Sequence, residues 1–220
     1  ESLSNVDPEA KWLQMTWMFY HAKEKWTPSR IKAFLRAVPQ DKLILLDYYC
    51  DHTEIWKNIE SYYGQPYIWC YLGNFGGNTM MVGDLNDTDM KINRVLAEGG
   101  DNVYGLGVTL EAFDVNPLMY EFVFDKAWNQ TQSTDQWIEM WAKCRGGQND
   151  KNIVKAWKDL HEKIYMTPAL CGQAVLINAR PQFEGVQGWN TYPDYKYNNK
   201  DLWTIWGELL QATDIVNQDY

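Results

Sequence analysis

The chain has 220 residues, 45% of them hydrophobic, enough for one large domain or two small ones with real cores. Lys and Arg number 20 against 29 Asp and Glu, a formal net charge of -9, which argues against nucleic acid and anionic membrane surfaces as partners. No segment approaches the roughly 20 uninterrupted apolar residues that a membrane-spanning helix needs.

Up to about Phe113 short apolar runs alternate with helix-like segments. "KWLQMTWMF" (11–19) reads as a first strand. "TPSRIKAFLRAV" (27–38) is predicted helical, with Thr27 as N-cap, Pro28 at the first helical position, and Ile31, Phe34, Leu35 and Val38 at helical spacing. "DKLILLDYYC" (41–50) is a second strand, and residues 51–63 are helical or irregular. "QPYIWCYLGNF" (65–75) is a third strand, apolar without helical spacing, running into the polar, glycine-rich "GNFGGN". "DMKINRVLAEGG" (89–100) is a helix stopped by Gly99 and Gly100, and "NVYGLGVTLEAF" (102–113) a fourth strand. Repeated β-then-α units imply parallel strands with right-handed crossovers.

Beyond that point the strands disappear. "NPLMYEFVFDKAW" (116–128), "STDQWIEMWAKCRGG" (133–147) and "DKNIVKAWKDLHEKIY" (150–165) read as amphipathic helices, residues 166–199 as irregular, and "KDLWTIWGELLQATDIV" (200–216) as a further helix. The predicted fold class is therefore α/β followed by all-α, with a boundary near Gln130. Four βα units cannot close an eight-stranded barrel, and an open sheet exposes backbone at its edges. The first part is either half of a (β/α)₈ barrel or a small doubly wound domain.

The 12 Trp and 14 Tyr against 7 Phe are the informative excess. Both combine a flat apolar face with one polar group, which suits core packing and stacking on sugar rings alike, and tilts the expected partner toward carbohydrate. Cys50, Cys70, Cys144 and Cys171 show no CxxC pair, and three scattered His give no metal-ligand spacing. No cofactor is expected, and no GxGxxG or P-loop fingerprint points to a nucleotide. Asn86-Asp87-Thr88 and Asn129-Gln130-Thr131 match the glycosylation pattern, meaningful only in a eukaryotic secretory pathway.

In a βα architecture the loops after the strands are where ligands sit. Trp17 ends the first predicted strand, Asp47 and Asp51 follow the second, Asn74 and Asn78 the third, and Glu111 ends the fourth. Carboxylates with aromatics beside them are what glycoside hydrolysis requires: one attacks or stabilises the developing cation at the anomeric carbon, and a protonated one delivers a proton to the leaving oxygen. Each has a plainer reading. Asp47 can simply accept backbone hydrogen bonds at a strand end, and Asp51 and Glu54 can be helix-start charges favoured by the dipole.

"QPYIWCYLGNFGGN" followed by "GLGVTLEAFDVNPLMYEF" resembles the α-N-acetylglucosaminidases of glycoside hydrolase family 89. "DPEAKWLQMTWMF", "IKAFLRAVPQDKLILLD" and "KIYMTPALC" are similar in the same order, so the resemblance covers most of the chain. It implies a retaining exo-hydrolase that removes terminal α-linked N-acetylglucosamine with two glutamates, in a (β/α)₈ barrel followed by a helical domain. Residues 1–130 would be the second half of the barrel and 131–220 the start of the helical domain. Glu111 falls on the nucleophile, Trp17 on an aromatic of the sugar pocket and Asn74 in a loop lining it; with Asp47 and Trp69 added, Trp17 and Asn74 make the candidate substrate-binding set.

The chain also departs from the family. Its acid/base glutamate lies in an Asn-Glu motif upstream of the Trp17 strand, and these 220 residues contain no Asn-Glu dipeptide. The family often has His at the place of Gly73. Its paired cysteines keep only a counterpart of Cys171, so no disulfide is implied. The chain opens with neither Met nor a signal-peptide profile, and reads as a mature product or a piece of something longer. The expectation is thus part of a glycosidase, inactive alone. Its partners would be a glycan with terminal α-N-acetylglucosamine, and the missing barrel half or a second copy. Its location would be periplasmic or extracellular if bacterial, lysosomal if animal. A non-catalytic carbohydrate-binding protein and a small doubly wound enzyme using Asp47 or Asp51 are the alternatives.

Overall fold

A computed structural model describes residues 2–73, 75, 81–111, 116–146, 149–166 and 197–212. After a short helix α1 (Ser2–Val6) come β1 (Trp12–Met15), α2 (Trp17–His21), α3 (Pro28–Arg36), β2 (Leu43–Asp47), α4 (Ile55–Asn58), β3 (Tyr67–Tyr71), α5 (Leu85–Glu98) and β4 (Val103–Val108). The four strands make one sheet in the order β1-β2-β3-β4, every neighbouring pair parallel. In a doubly wound sheet the strand order reverses at a switch point, whereas in a (β/α)₈ barrel it follows the sequence. The sheet is therefore four successive strands of a barrel wall.

Register and the two-residue period divide the side chains between two faces. Leu45 and Asp47 of β2, on the same face as Leu43, align with Tyr67 and Trp69 of β3, and Tyr67, Trp69 and Tyr71 with Val103, Leu106 and Val108 of β4. This face joins Ile31 and Leu35 of α3, Ile55 and Trp56 of α4, and Ile92 and Val95 of α5 in one core. The other face carries Leu13 and Met15, Ile44 and Leu46, Ile68 and Cys70, and Gly105 and Gly107, and belongs to the barrel interior. Leu13 and Met15 on edge strand β1, and Tyr104 on edge strand β4, are exposed. An open half-barrel leaves such residues unburied.

β3 is entered through an unusual turn. Glu60, Ser61, Tyr62 and Tyr63 all have φ between 44° and 56°, a left-handed conformation that costs L-residues roughly 1–2 kcal/mol each. The cost is offset by complete burial of Tyr62 and by Asn102, whose Nδ2 donates to the carbonyls of Ser61 and Gln65 at 2.8 and 2.7 Å.

The all-α part follows as α6 (Pro117–Lys126), α7 (Thr134–Gly146), α8 (Lys151–Lys163) and α9 (Asn199–Leu210). Trp137 and Trp141 of α7 donate from their indole nitrogens to Asp125 and Glu121 of α6 at 2.6 and 2.7 Å, and Trp141 meets Trp157 of α8 edge-on at 4.3 Å. Buried Lys126 of α6 pairs with Asp89 of α5 at 2.7 Å. Trp137, Ile138, Ala156, Leu160 and Ile205 belong to the same core as the strands, so the helices pack directly on the barrel layer. Among the described residues no helix is long and apolar enough to cross a membrane.

Candidate active site

The carboxyl ends of the strands are held together by side chains that follow them. Thr16, fully buried just after β1, donates from Oγ1 to the carbonyl of Leu46 at 3.1 Å and accepts the N–H of Tyr48 at 3.3 Å. Thr109, just after β4, donates from Oγ1 to the carbonyl of Tyr48 at 2.7 Å and from its N–H to the carbonyl of Tyr71 at 3.0 Å. The backbone of Tyr48 is thereby fixed from both sides.

The loop after β3 is fastened with equal care. Asp51 Oδ1 accepts the N–H of Leu72 and Oδ2 that of Gly73, each at 3.0 Å, while Tyr120 of α6 donates its hydroxyl to the carbonyl of Leu72 at 2.5 Å. Burial raises the Asp51 carboxyl to about 6, against the opposing pull of those two N–H groups and of Lys91. Asp51 is therefore committed to holding backbone.

Over this frame lies an aromatic cluster. Trp17 stands within 6 Å, centroid to centroid, of Tyr20, His21, Tyr48, Tyr49 and Phe75. Tyr49 stacks on His52 at 4.8 Å with the rings 3° from parallel. Burial, together with Lys91, lowers the affinity of His52 for a proton, which favours the neutral ring. At the edge of this cluster the hydroxyl of Tyr48 donates to Glu111 Oε1 at 2.5 Å. Glu111 is exposed and Tyr48 buried, so the carboxylate is presented to the open side while its partner is anchored within.

The candidates from sequence divide accordingly. Trp17 and Glu111 come together through Tyr48, although Trp17 opens α2 instead of ending a strand, and Glu111 lies three residues beyond β4. Asp47 and Trp69 do not join them. Both are wholly buried on the helix-facing side of the sheet, where Asp47 Oδ2 accepts the N–H of Trp56 at 3.0 Å. Burial pushes the Asp47 carboxyl up to about 7, a consequence of core placement with no substrate involved. The expectation that these two contact substrate is corrected by the strand period: they share the parity of Leu43 and Leu45, and Tyr48 emerges on the other side. Asn74, the remaining candidate, lies outside the described residues, as does Cys171.

Tyr20, Tyr48, Tyr49, His52 and Phe75 were not singled out from sequence. The available signal was the Tyr48-Tyr49 doublet directly after the Asp47 strand end, in the position that barrel chemistry uses. Among the described residues no group of three or more His, Cys, Asp or Glu could hold a metal ion.

Sequentially ordered parallel strands, with a glutamate and a wall of aromatic rings past their carboxyl ends, have the layout of part of a (β/α)₈ barrel and the face on which such barrels carry their sites. Residues 1–130 match the alpha-N-acetylglucosaminidase tim-barrel domain and residues 137–220 the alpha-N-acetylglucosaminidase C-terminal domain. The chain belongs to the alpha-N-acetylglucosaminidase family. It is 28% identical over 214 residues to the human alpha-N-acetylglucosaminidase, a match covering 96% of this chain and 28% of that protein. It is similar to the family 89 glycoside hydrolase from Clostridium perfringens in complex with PUGNAc, with a TM-score of 0.78 and 26% identity over 96% of this chain and 24% of that one. The Clostridium perfringens protein with two glutamates replaced by glutamine, in complex with its substrate GlcNAc-α-1,4-galactose, matches with a TM-score of 0.77 and 26% identity, again over 96% of this chain and 23% of that one. The chain thus spans about a quarter of the length of these relatives.

Proposed function

We propose that this chain is part of a retaining exo-glycosidase that removes terminal α-linked N-acetylglucosamine, with Glu111 as the nucleophile. The observation that carries this reading is the position of Glu111: past the carboxyl end of the fourth strand, bonded to Tyr48 and bordering the Trp17 aromatic cluster, in a chain of the alpha-N-acetylglucosaminidase family. The substrate named for the solved relative, GlcNAc-α-1,4-galactose, supports the choice of glycan, and the replacement of two glutamates in that protein is in keeping with a glutamate in this role. Trp17 would form one wall of the sugar subsite through its apolar face. Asn74 would contribute an amide from the loop that Asp51 fastens.

In this mechanism Glu111 attacks the anomeric carbon, a second carboxylic acid about 5–5.5 Å away protonates the leaving oxygen, and water releases the glycosyl-enzyme. That acid would come from a partner segment supplying the other barrel strands, which would also cover the exposed edges at Leu13, Met15 and Tyr104. Residues 1–130 would then be the second half of the catalytic barrel and 131–220 the start of the helical domain, in an exported or lysosomal protein. The test is hydrolysis of a chromogenic α-N-acetylglucosaminide by the isolated chain and by the complete enzyme, each with Glu111→Gln. Turnover by the complete enzyme alone, abolished by Glu111→Gln, is expected; turnover unchanged by Glu111→Gln removes the assignment.

A further inference from the structure

We propose that Tyr48 is a positioning residue for Glu111, whose hydroxyl favours the free carboxylate over the sugar ester and so speeds release of the glycosyl-enzyme; this rests on the reading of Glu111 as nucleophile. A carboxylate can only accept and a neutral phenol has one proton to give, so the 2.5 Å contact runs from Tyr48 to Glu111 Oε1. A hydrogen bond to an ionised acceptor is roughly twice as strong as one between neutral groups. The donor is also pre-set. Tyr48 is 7% exposed, its N–H bonds to Thr16 and its carbonyl accepts from Thr109, and its ring lies 5.6 Å from that of Trp17. Groups following three of the four strands thus aim one hydroxyl at one carboxylate oxygen.

Such a bond acts unequally on the two steps. In the first, a Glu111 oxygen forms a bond to the anomeric carbon while the bond from that carbon to the aglycone oxygen breaks. The aglycone leaves with a proton from the second carboxylic acid. Glu111 surrenders its charge, and the Tyr48 bond weakens to that of a neutral ester carbonyl. In the second step water adds to the anomeric carbon and gives its proton to the conjugate base of that acid. The ester C–O electron pair returns to Glu111, and the full Tyr48 bond is regained as the charge develops. Tyr48 therefore restrains glycosylation and assists deglycosylation.

Removing the hydroxyl should let the intermediate accumulate. In the complete enzyme, Tyr48→Phe is expected to lower kcat about ten-fold or more, with KM falling alongside so that kcat/KM moves much less. Mass spectrometry of enzyme quenched in the steady state should find an N-acetylglucosaminyl ester on the Glu111 peptide. Unchanged kcat and KM would overturn the proposal, as would kcat/KM falling as far as kcat with no adduct, the pattern of a merely structural residue. A second measurement does not depend on turnover or on the folding of the variant. Proton NMR of the unsubstituted complete enzyme should show a downfield, slowly exchanging tyrosine hydroxyl that is assigned to Tyr48 by its coupling to the ring, and its absence overturns the proposal. Failure of the underlying reading looks different: a complete enzyme that keeps its turnover with Glu111→Gln, whatever Tyr48→Phe does.

Discussion

Asp51 and Gly73 are joined across the top of the sheet: Asp51 Oδ2 accepts the N–H of Gly73 at 3.0 Å while Oδ1 takes the preceding N–H, that of Leu72. One carboxylate in the turn after the second strand thereby sets where the loop after the third begins. That loop carries Phe75, whose ring stands 5.5 Å from Trp17.

Removing this carboxylate leaves two backbone donors without their acceptor in a buried place. Asp51→Ala should destabilise the fold by about 2–4 kcal/mol in urea unfolding, and Asp51→Asn, which retains one acceptor oxygen, by less. Equal losses for the two variants would show that the hydrogen bonds to Leu72 and Gly73 are not the cause.

Gly73 itself has φ of +80°, and a Cβ there would lie 3.0 Å from the Tyr120 hydroxyl and 3.3 Å from the Tyr71 ring. Gly73→Ala should cost about 1–2 kcal/mol from the left-handed backbone alone. Displacement of Tyr120 from the Leu72 carbonyl would add to it. A Gly73→Ala protein as stable as the parent chain would contradict this.

Asp47 makes stability depend on pH. Its carboxyl is raised from 3.8 to about 7 because it is buried among core residues. Between those values the folded chain keeps a proton that the unfolded chain has released, so this group's contribution falls as pH rises from about 4 to about 7, by at most about 1.4 kcal/mol per unit. Asp47→Asn keeps an acceptor for the Trp56 N–H and cannot ionise. Its urea midpoint should decline less steeply than that of the parent chain over this window; parallel profiles would argue that Asp47 does not titrate there.

Trp17 is the ring common to five aromatic contacts beside Glu111. In the complete enzyme Trp17→Ala should raise KM for an α-N-acetylglucosaminide by about ten-fold or more, the scale of one lost aromatic contact. Trp17→Phe should recover much of it. A KM unaffected by Trp17→Ala would remove the residue from the subsite.

Much of this was legible along the chain because burial patterns are local. "LILLD" and "YIWCY" read as buried strands since both faces of a barrel wall are covered, and α5 and α8 show their apolar stripes at helical spacing. The order of strands in the sheet was not legible. Half-barrel and doubly wound sheets are built from the same βα units, and only pairing distinguishes them. The boundary of the first strand also moved. "TWMF" carries the apolar residues of a strand, yet Thr16 turns its side chain onto Leu46 and the chain coils into α2.

By itself the sequence determined the βα-then-α order and the family, because each is written in contiguous residues, and it singled out Glu111 at the end of the fourth predicted strand as the candidate nucleophile. Tertiary structure alone decided which strand-end residues meet. Asp47 and Tyr48 are neighbours in the chain, but successive side chains near a strand end point to opposite sides of a sheet. Asp47 went into the helix layer, and Tyr48, 63 positions before Glu111, became its hydrogen-bond donor.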